Sequence, residues 1–270
     1  MFKDVSRPPA KGPRSLLSCL VLLGVLTTGC TGSYYNWEVR TNSTPVSDSF
    51  RPSILEDKPV AIFEAMTSPG LRGNEAGMAV WLAQILEKVA PKIKVIGPKA
   101  TATAINRNGL AHEYVQMRAD AEQSYILNRD ILQKVAAAVG ARYVFQPRLA
   151  SFSQTMTERW KVPGFDLRVV QTRSSVIRLS LQLWETDTGE LVWTSVAEAV
   201  LANEAVTQDP VFLEEETKVA LGSVIADLLY GRTSSQYTPL NGMLNQLIEQ
   251  PSPAPSPKKE DSASEAPGAQ

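Results

Sequence analysis

The chain has 270 residues, with 27 Lys and Arg against 28 Asp and Glu, two cysteines and a single histidine, His112. Its near-zero charge balance offers no basic field for nucleic acid, and the absence of an apolar run near 18 residues excludes a polytopic helical membrane protein. With one histidine, every Ser-His-Asp or Cys-His arrangement and every multi-histidine metal site would have to be built on His112, so no catalytic residue, cofactor or metal ligand is assigned.

The N-terminus reads as an address. Lys3, Arg7, Lys11 and Arg14 against Asp4 make a positive leader, and Leu16 to Leu26 is an apolar stretch of signal-peptide length. Thr27-Thr28-Gly29-Cys30 follows, small residues ending in a cysteine, which resembles the lipobox of bacterial lipoproteins. The resemblance implies that Cys30 is diacylated and becomes the new N-terminus, with residues 1–29 removed. Ordinary signal-peptidase cleavage is the alternative, because Thr27 and Gly29 also fit a small-x-small site. Cys19 would leave with the leader, so the mature chain would hold Cys30 alone, and acylation would protect that lone thiol from oxidation. Thr31, where an Asp would resemble an inner-membrane retention signal, points through the same resemblance to the outer membrane. Losing the leader's four cations and one anion leaves 23 basic and 27 acidic residues, a sign that does not seek anionic head groups.

Residues 31–57 are rich in Ser, Thr, Asn and Pro without a sustained period and are expected as an irregular tether with a reach on the order of 30 Å. Residues 232–270 form a C-terminal extension whose tail carries Pro251, Pro253, Pro255 and Pro257 and too few apolar residues to fold. Residues 58–231 are the predicted domain. Val60 to Phe63 reads as a buried strand. Beyond it Asn74 caps a helix with Met78, Trp81, Leu82, Ile85, Leu86 and Val89 on one face, stopped by Pro91. Ile93 to Ile96 gives a second strand, and the polar stretch from Ala100 to Tyr125 reads as one helix. Asn128 then caps a helix over Arg129 to Val139 that Gly140 ends in the left-handed conformation. Tyr143 opens a third strand, and Ile177, Leu179, Leu181 and Leu183 alternate with polar residues before a turn at residues 185–190 and a returning strand, a hairpin with one thinly covered face. Asp209-Pro210 starts a last helix closed by Gly231. The order β-α-β-(α)-α-β-β-β-α is an α/β fold of helices layered on a mixed sheet.

Three stretches, Val60 to Phe63, Asp130 to Val144 and Ile177 to Trp193 around Asp187-Thr188-Gly189-Glu190, resemble the superfamily of the curli-secretion lipoprotein (CsgG-type) and the N-terminal domain of the periplasmic TolB protein. The resemblance implies envelope lipoproteins or periplasmic proteins that assemble into rings or multi-protein machines, without catalysis. The curli channel adds two β-hairpins that close a barrel. Here the candidate strand faces are interrupted, one by Gln154 and Glu158 and its return by Gln171 and Arg173, while the second candidate, from Val200 to Asp209, holds Asn203, Glu204 and Asp209. A basic residue at bilayer depth costs roughly 2 to 4 kcal/mol, so the chain departs from the channel former at these residues.

Other motifs read as structure. Gly70, Gly73 and Gly77 match no phosphate-binding pattern. Glu185, Asp187 and Glu190 fit a tight turn better than a calcium loop. Glu214, Glu215 and Glu216 complement a helix N-terminus, and His112 beside Glu113 reads as a surface residue. Arg159 to Phe165 differs, because it puts Trp160 and Phe165 among cations at the tip between two strands. That tip either packs back on the domain or contacts a partner or the lipid interface. The expected function is a non-enzymatic outer-membrane lipoprotein facing the periplasm, a scaffold or subunit of an envelope assembly or export system. Its partners would be outer-membrane lipid through acylated Cys30, envelope proteins and further copies of itself. The alternative is an activator of a peptidoglycan synthase that reaches inward on its long flanks.

Overall fold

The computed structural model describes residues 34–73, 75–161, 168–205, 213–232 and 234–235. In chain order these are β1 (Tyr34–Ser43), the one-turn helix α1 (Ile54–Asp57), β2 (Val60–Ile62), β3 (Met66–Thr67), a 3-10 turn at Pro69–Leu71, α2 (Glu75–Val89), β4 (Val95–Ile96), α3 (Pro98–Arg107), α4 (Ala111–Ser124), α5 (Arg129–Val139), β5 (Tyr143–Lys161), β6 (Arg168–Glu185), β7 (Glu190–Ala205), α6 (Leu213–Tyr230) and β8 (Ser234–Ser235). The strands form one sheet in the order β4-β2-β5-β6-β7-β1-β8, with β3 also beside β5. β2 runs parallel to β4 and β5, while β5, β6 and β7 are antiparallel, so the sheet is mixed and the α/β class read from the sequence is the observed one.

Alternation along the strands sends neighbours to opposite faces. Val60, Ile62, Phe145, Leu179 and Leu181 join α2 and α6 in the larger core, and Ala61, Phe63, Val144 and Trp184 join α4 and α5 in the second. Each fully buried Leu, Ile or Phe contributes about 1.5 to 3 kcal/mol of apolar burial, so both layers are held chiefly by these contacts. The α2 stripe buries Met78, Leu82, Ile85 and Leu86 as expected, with Trp81 and Val89 half-buried at its edges. Asn128 caps α5 by accepting from the Asp130 and Ile131 amides at 3.1 and 3.2 Å, and Gly140 ends it at φ +77°. Asn74 and the Asp209-Pro210 start lie outside the described residues. In their stead the entry to α2 is tied by Glu75, which accepts from Thr67 Oγ1 at 2.7 Å and from the Gly73 amide at 2.5 Å. Burial opposes the charge on Glu75, but these hydrogen bonds outweigh it and hold its carboxyl below the usual range.

Three expectations change. Residues 34–57, expected as part of an irregular tether, hold β1 and α1, and Phe50 and Leu55 are core residues, Phe50 edge-on to Tyr143 at 5.4 Å between centroids. Tyr35, Trp37 and Val39 alternate with Asn36, Glu38 and Arg40 along β1, with Val39 packed on the larger core, before the inward slots pass to Thr41 and Ser43 and the apolar signal ends. The polar stretch expected as one helix is two, α3 and α4, broken at Gly109, whose φ of +70° suits only glycine without strain. The strands are also longer than expected: the strand opened by Tyr143 is β5 of 19 residues, and the expected hairpin is β6 of 18 with β7 of 16. An extra residue, Ala150, interrupts the register between Leu149 and Ser151, and beyond it Phe152 pairs with Ile177 and rests on the larger core.

Candidate functional site

Of the residues singled out in the sequence, Cys30 and Phe165 lie outside the described residues. Trp160 sits on β5 with Val169 of β6 as its register partner. Its surroundings are set by register. The described part of β7 ends at Ala205, opposite Gln171, and β5 and β6 pair onward through Arg159↔Val170, Trp160↔Val169 and Lys161↔Arg168. Three of those six positions are cations. Arg159 and Lys161 flank Trp160 along this outer β5–β6 ribbon.

The same end of the sheet receives the start of β1. Thr44 N donates to Thr194 O and Ser47 N to Val192 O, each at 2.9 Å, which fixes β1 and β7 as antiparallel. Continued along β1, that register brings Tyr35 level with Asn203, and Asn203 pairs with Arg173, itself opposite Met156. Trp160 is four rows further out, about 14 Å at the rise of an antiparallel strand. The N-terminal end of the sheet's β1 strand and the free end of the β5–β6 ribbon thus face the same way.

A second constellation lies where the parallel strands end. Glu64, just beyond β2, pairs with Arg118 of α4 at 2.9 Å, and Arg118 also donates to Ala65 O at 2.6 Å. The Glu64 amide donates to the Tyr114 hydroxyl at 3.2 Å, and burial, which outweighs the nearby Arg118 charge, pushes that hydroxyl up to about 12. A phenol held neutral this firmly is a hydrogen-bond donor and acceptor, not a base. Sequence reading placed Tyr114 and Arg118 in the helical stretch from Ala100 to Tyr125 and did not single out Glu64. Their i, i+4 spacing was the available signal.

The remaining polar clusters behave as structure. The turn carboxylates Glu185 and Asp187 share Arg142, and Glu190 accepts from Ser47 and Ser49, so each of the three is engaged by protein groups. Among the described residues no group of three metal-ligating side chains converges. Ser43 lies 2.7 Å from Ser195 Oγ and donates to Asp227 Oδ2 at 3.0 Å beneath α6. His112, exposed at the start of α4, belongs to the opposite side of the sheet and supplies no base to those serines. Glu214 to Glu216 do not share one role: Glu214 pairs with Lys218, Glu215 is half-buried, and Glu216 is fully buried with neither carboxyl oxygen hydrogen-bonded among the described residues. Burial, then the charge of Glu215, raises the Glu216 carboxyl to about 8, so it is largely protonated at neutral pH. No helix among the described residues is long and apolar enough to cross a membrane.

The sequence matches no protein-family model and no curated protein. Solved structures with a similar layout include the PelC dodecamer of Paraburkholderia phytofirmans, at 15% identity, 72% of this chain, 98% of that chain and a TM-score of 0.39. The lipoprotein GNA1162 of Neisseria meningitidis is similar at 12% identity, 64% and 96% coverage and a TM-score of 0.38. The LpoB C-terminal domain of Salmonella enterica is similar at 18% identity, 52% and 81% coverage and a TM-score of 0.32. Scores this low leave the functional reading to the chain's own residues.

Proposed function

We propose that this protein is a non-enzymatic lipoprotein of the outer membrane, held on the periplasmic face by acylated Cys30, and that it acts as a scaffold or subunit of an envelope assembly or export system. The observation that carries the reading is the shared register of β1 with the β5–β6 ribbon. Five peptide units join Cys30 to Tyr35 and span at most about 18 Å, while the ribbon carries Trp160 about 14 Å past the level of Tyr35. Trp160 and the start of β1 therefore share one end of the sheet, and an acylated Cys30 close in sequence to that start suits a membrane on that side. Aromatic rings with flanking cations suit the level of lipid head groups, where an apolar body and a wet edge are both satisfied.

With β1 beginning so soon after Cys30, little free chain is left on the N-terminal side for reaching inward, which favours the scaffold over the synthase activator. The test is fractionation and vesicle flotation of the full chain. Cys30→Ala should leave the membrane fraction, and Trp160→Ser with Phe165→Ser should lower flotation of that soluble variant without changing its melting temperature. If Cys30→Ala stays with the membrane after a carbonate wash, the anchored reading falls. If the aromatic pair instead costs a large part of the thermal stability, the tip packs on the domain.

A further inference from the structure

From β2 the chain crosses through α2 on one face of the sheet to β4, and from β4 it returns through α3, α4 and α5 on the other face to β5, so that β4 and β5 flank β2. The connections leaving the carboxyl ends of β2 and β4 therefore diverge and open a crevice there, the place where open α/β sheets hold their ligands. It is open in this protein. A chamber of about 310 Å³ lies behind Ile62, Val80, Ile105 and Tyr114, and it adjoins a trough of about 630 Å³ between α2 and α3. Val80, Pro98 and Lys99 line both, so the two form one continuous site.

We propose that this crevice binds a peptide segment of a partner protein that carries an aliphatic residue next to an acidic one. The proposal goes beyond the membrane-anchored reading and does not depend on it. The chamber is walled by branched aliphatic and alanine side chains, which suits one inserted aliphatic side chain. Two of its four polar lining residues, Glu64 and Tyr114, are complementary to an amide, beside Lys99 and Thr101. The Glu64 carboxylate offers Oε1, since only Oε2 is taken by Arg118, and the Tyr114 hydroxyl, which accepts from the Glu64 amide, keeps its proton for a carbonyl. An acyl chain would leave both unpaired and would bring its own carboxylate toward Glu64, which disfavours a lipid here. The trough adds charge selection. Glu87 stands on its α2 wall, while its α3 wall presents Lys99 and Arg107, both exposed and without a salt bridge among the described residues, so two cations against one carboxylate favour an acidic residue following the aliphatic anchor on the α3 side.

The test is selection of a randomised heptapeptide library on the detergent-solubilised full chain, followed by affinity measurement of the enriched peptides. Val80→Glu fills the shared wall, and Lys99→Glu with Arg107→Glu inverts the rim; all three positions are exposed, so the fold is kept and a melting curve checks it. Enriched peptides should pair Leu, Ile or Val with Asp or Glu and lose about tenfold or more in affinity to each variant. The rim inversion should also turn the preference toward Lys and Arg. Enrichment that is indifferent to both variants, an enriched motif without acidic residues, or no enrichment at all overturns the proposal. Displacement of the peptides by decanoate at comparable concentration would assign the crevice to acyl chains and overturn it as well.

Discussion

Ser43 of β1 donates a hydrogen bond to Asp227 of α6 at 3.0 Å, joining residues 184 positions apart in a fully buried site. Arg232 approaches the other carboxylate oxygen at 3.3 Å as an ion pair, and its backbone amide donates to the Asp227 carbonyl at 3.0 Å. The strand expected to belong to a tether is thus fastened to the helix that covers it. Asp227→Ala should cost about 3 kcal/mol, because it leaves the Ser43 and Ser195 hydroxyls buried and short of a partner. Asp227→Asn, which keeps an acceptor for Ser43, should cost less. Urea unfolding followed by fluorescence measures both, and an Asp227→Ala midpoint equal to that of the parent would show that β1 is not held in this way.

The contrast with α2 explains what the sequence could reveal. Met78, Leu82, Ile85 and Leu86 are apolar at helical spacing, and Asn128 and Gly140 have the side-chain oxygen and the free φ that helix ends require, so those elements were readable. β1 was legible only in part, because Tyr35, Trp37 and Val39 alternate with polar residues but its last inward slots are Thr41 and Ser43, and the hydrogen bonds of Ser43 leave no trace in a hydrophobic pattern. The outer half of β5 and β6 was legible as strand but not in its extent, since pairing there involves polar residues on both faces. The crevice was not legible, for it is made of Ala, Val, Pro and Ile contributed by β2, α2 and α3, with no fixed spacing between them.

Gly189 stands at φ +73° in the turn between β6 and β7, and a Cβ there would lie 2.7 Å from Cγ of Arg129. Gly189→Ala therefore suffers twice, from left-handed backbone and from a clash with the first residue of α5. Gly109, at φ +70° with open space around it, isolates the backbone effect alone. Gly109→Ala should cost about 1 kcal/mol and Gly189→Ala about 2 to 3 kcal/mol. Adding Arg129→Ala to Gly189→Ala should recover part of the difference, whereas strictly additive losses in that cycle would mean that Arg129 moves aside freely.

Arg118 joins the second helical layer to the end of β2 through Glu64 and Ala65 O. Glu64 is nearly half exposed, so the ion pair itself is worth little, and most of the loss on Arg118→Ala should come from the unanswered Ala65 carbonyl and the contact with the Tyr114 ring. A cost of about 1 to 2 kcal/mol is expected. Glu64→Gln should cost less than half of that in the same denaturation assay, and equal costs would return the energy to the ion pair.

Glu216 gives the chain a pH response of unusual sign. Its folded carboxyl titrates at about 8 against 4.5 for the ordinary group, so the folded state binds the extra proton and stability is complete below the unfolded value. As pH rises from about 4.5 toward 8 the unfolded state ionises freely while the folded state must either keep its proton or bury a charge beside Glu215, and stability falls through that window. Most carboxylates held by partners act the other way, as Glu75 does. Glu216→Gln removes the response and keeps the shape, so the melting temperature of this variant relative to the parent should be near equal at pH 5 and several degrees higher at pH 8. A difference that is the same at both pH values would mean that the Glu216 carboxylate finds a partner when ionised, and its burial would then carry no pH dependence.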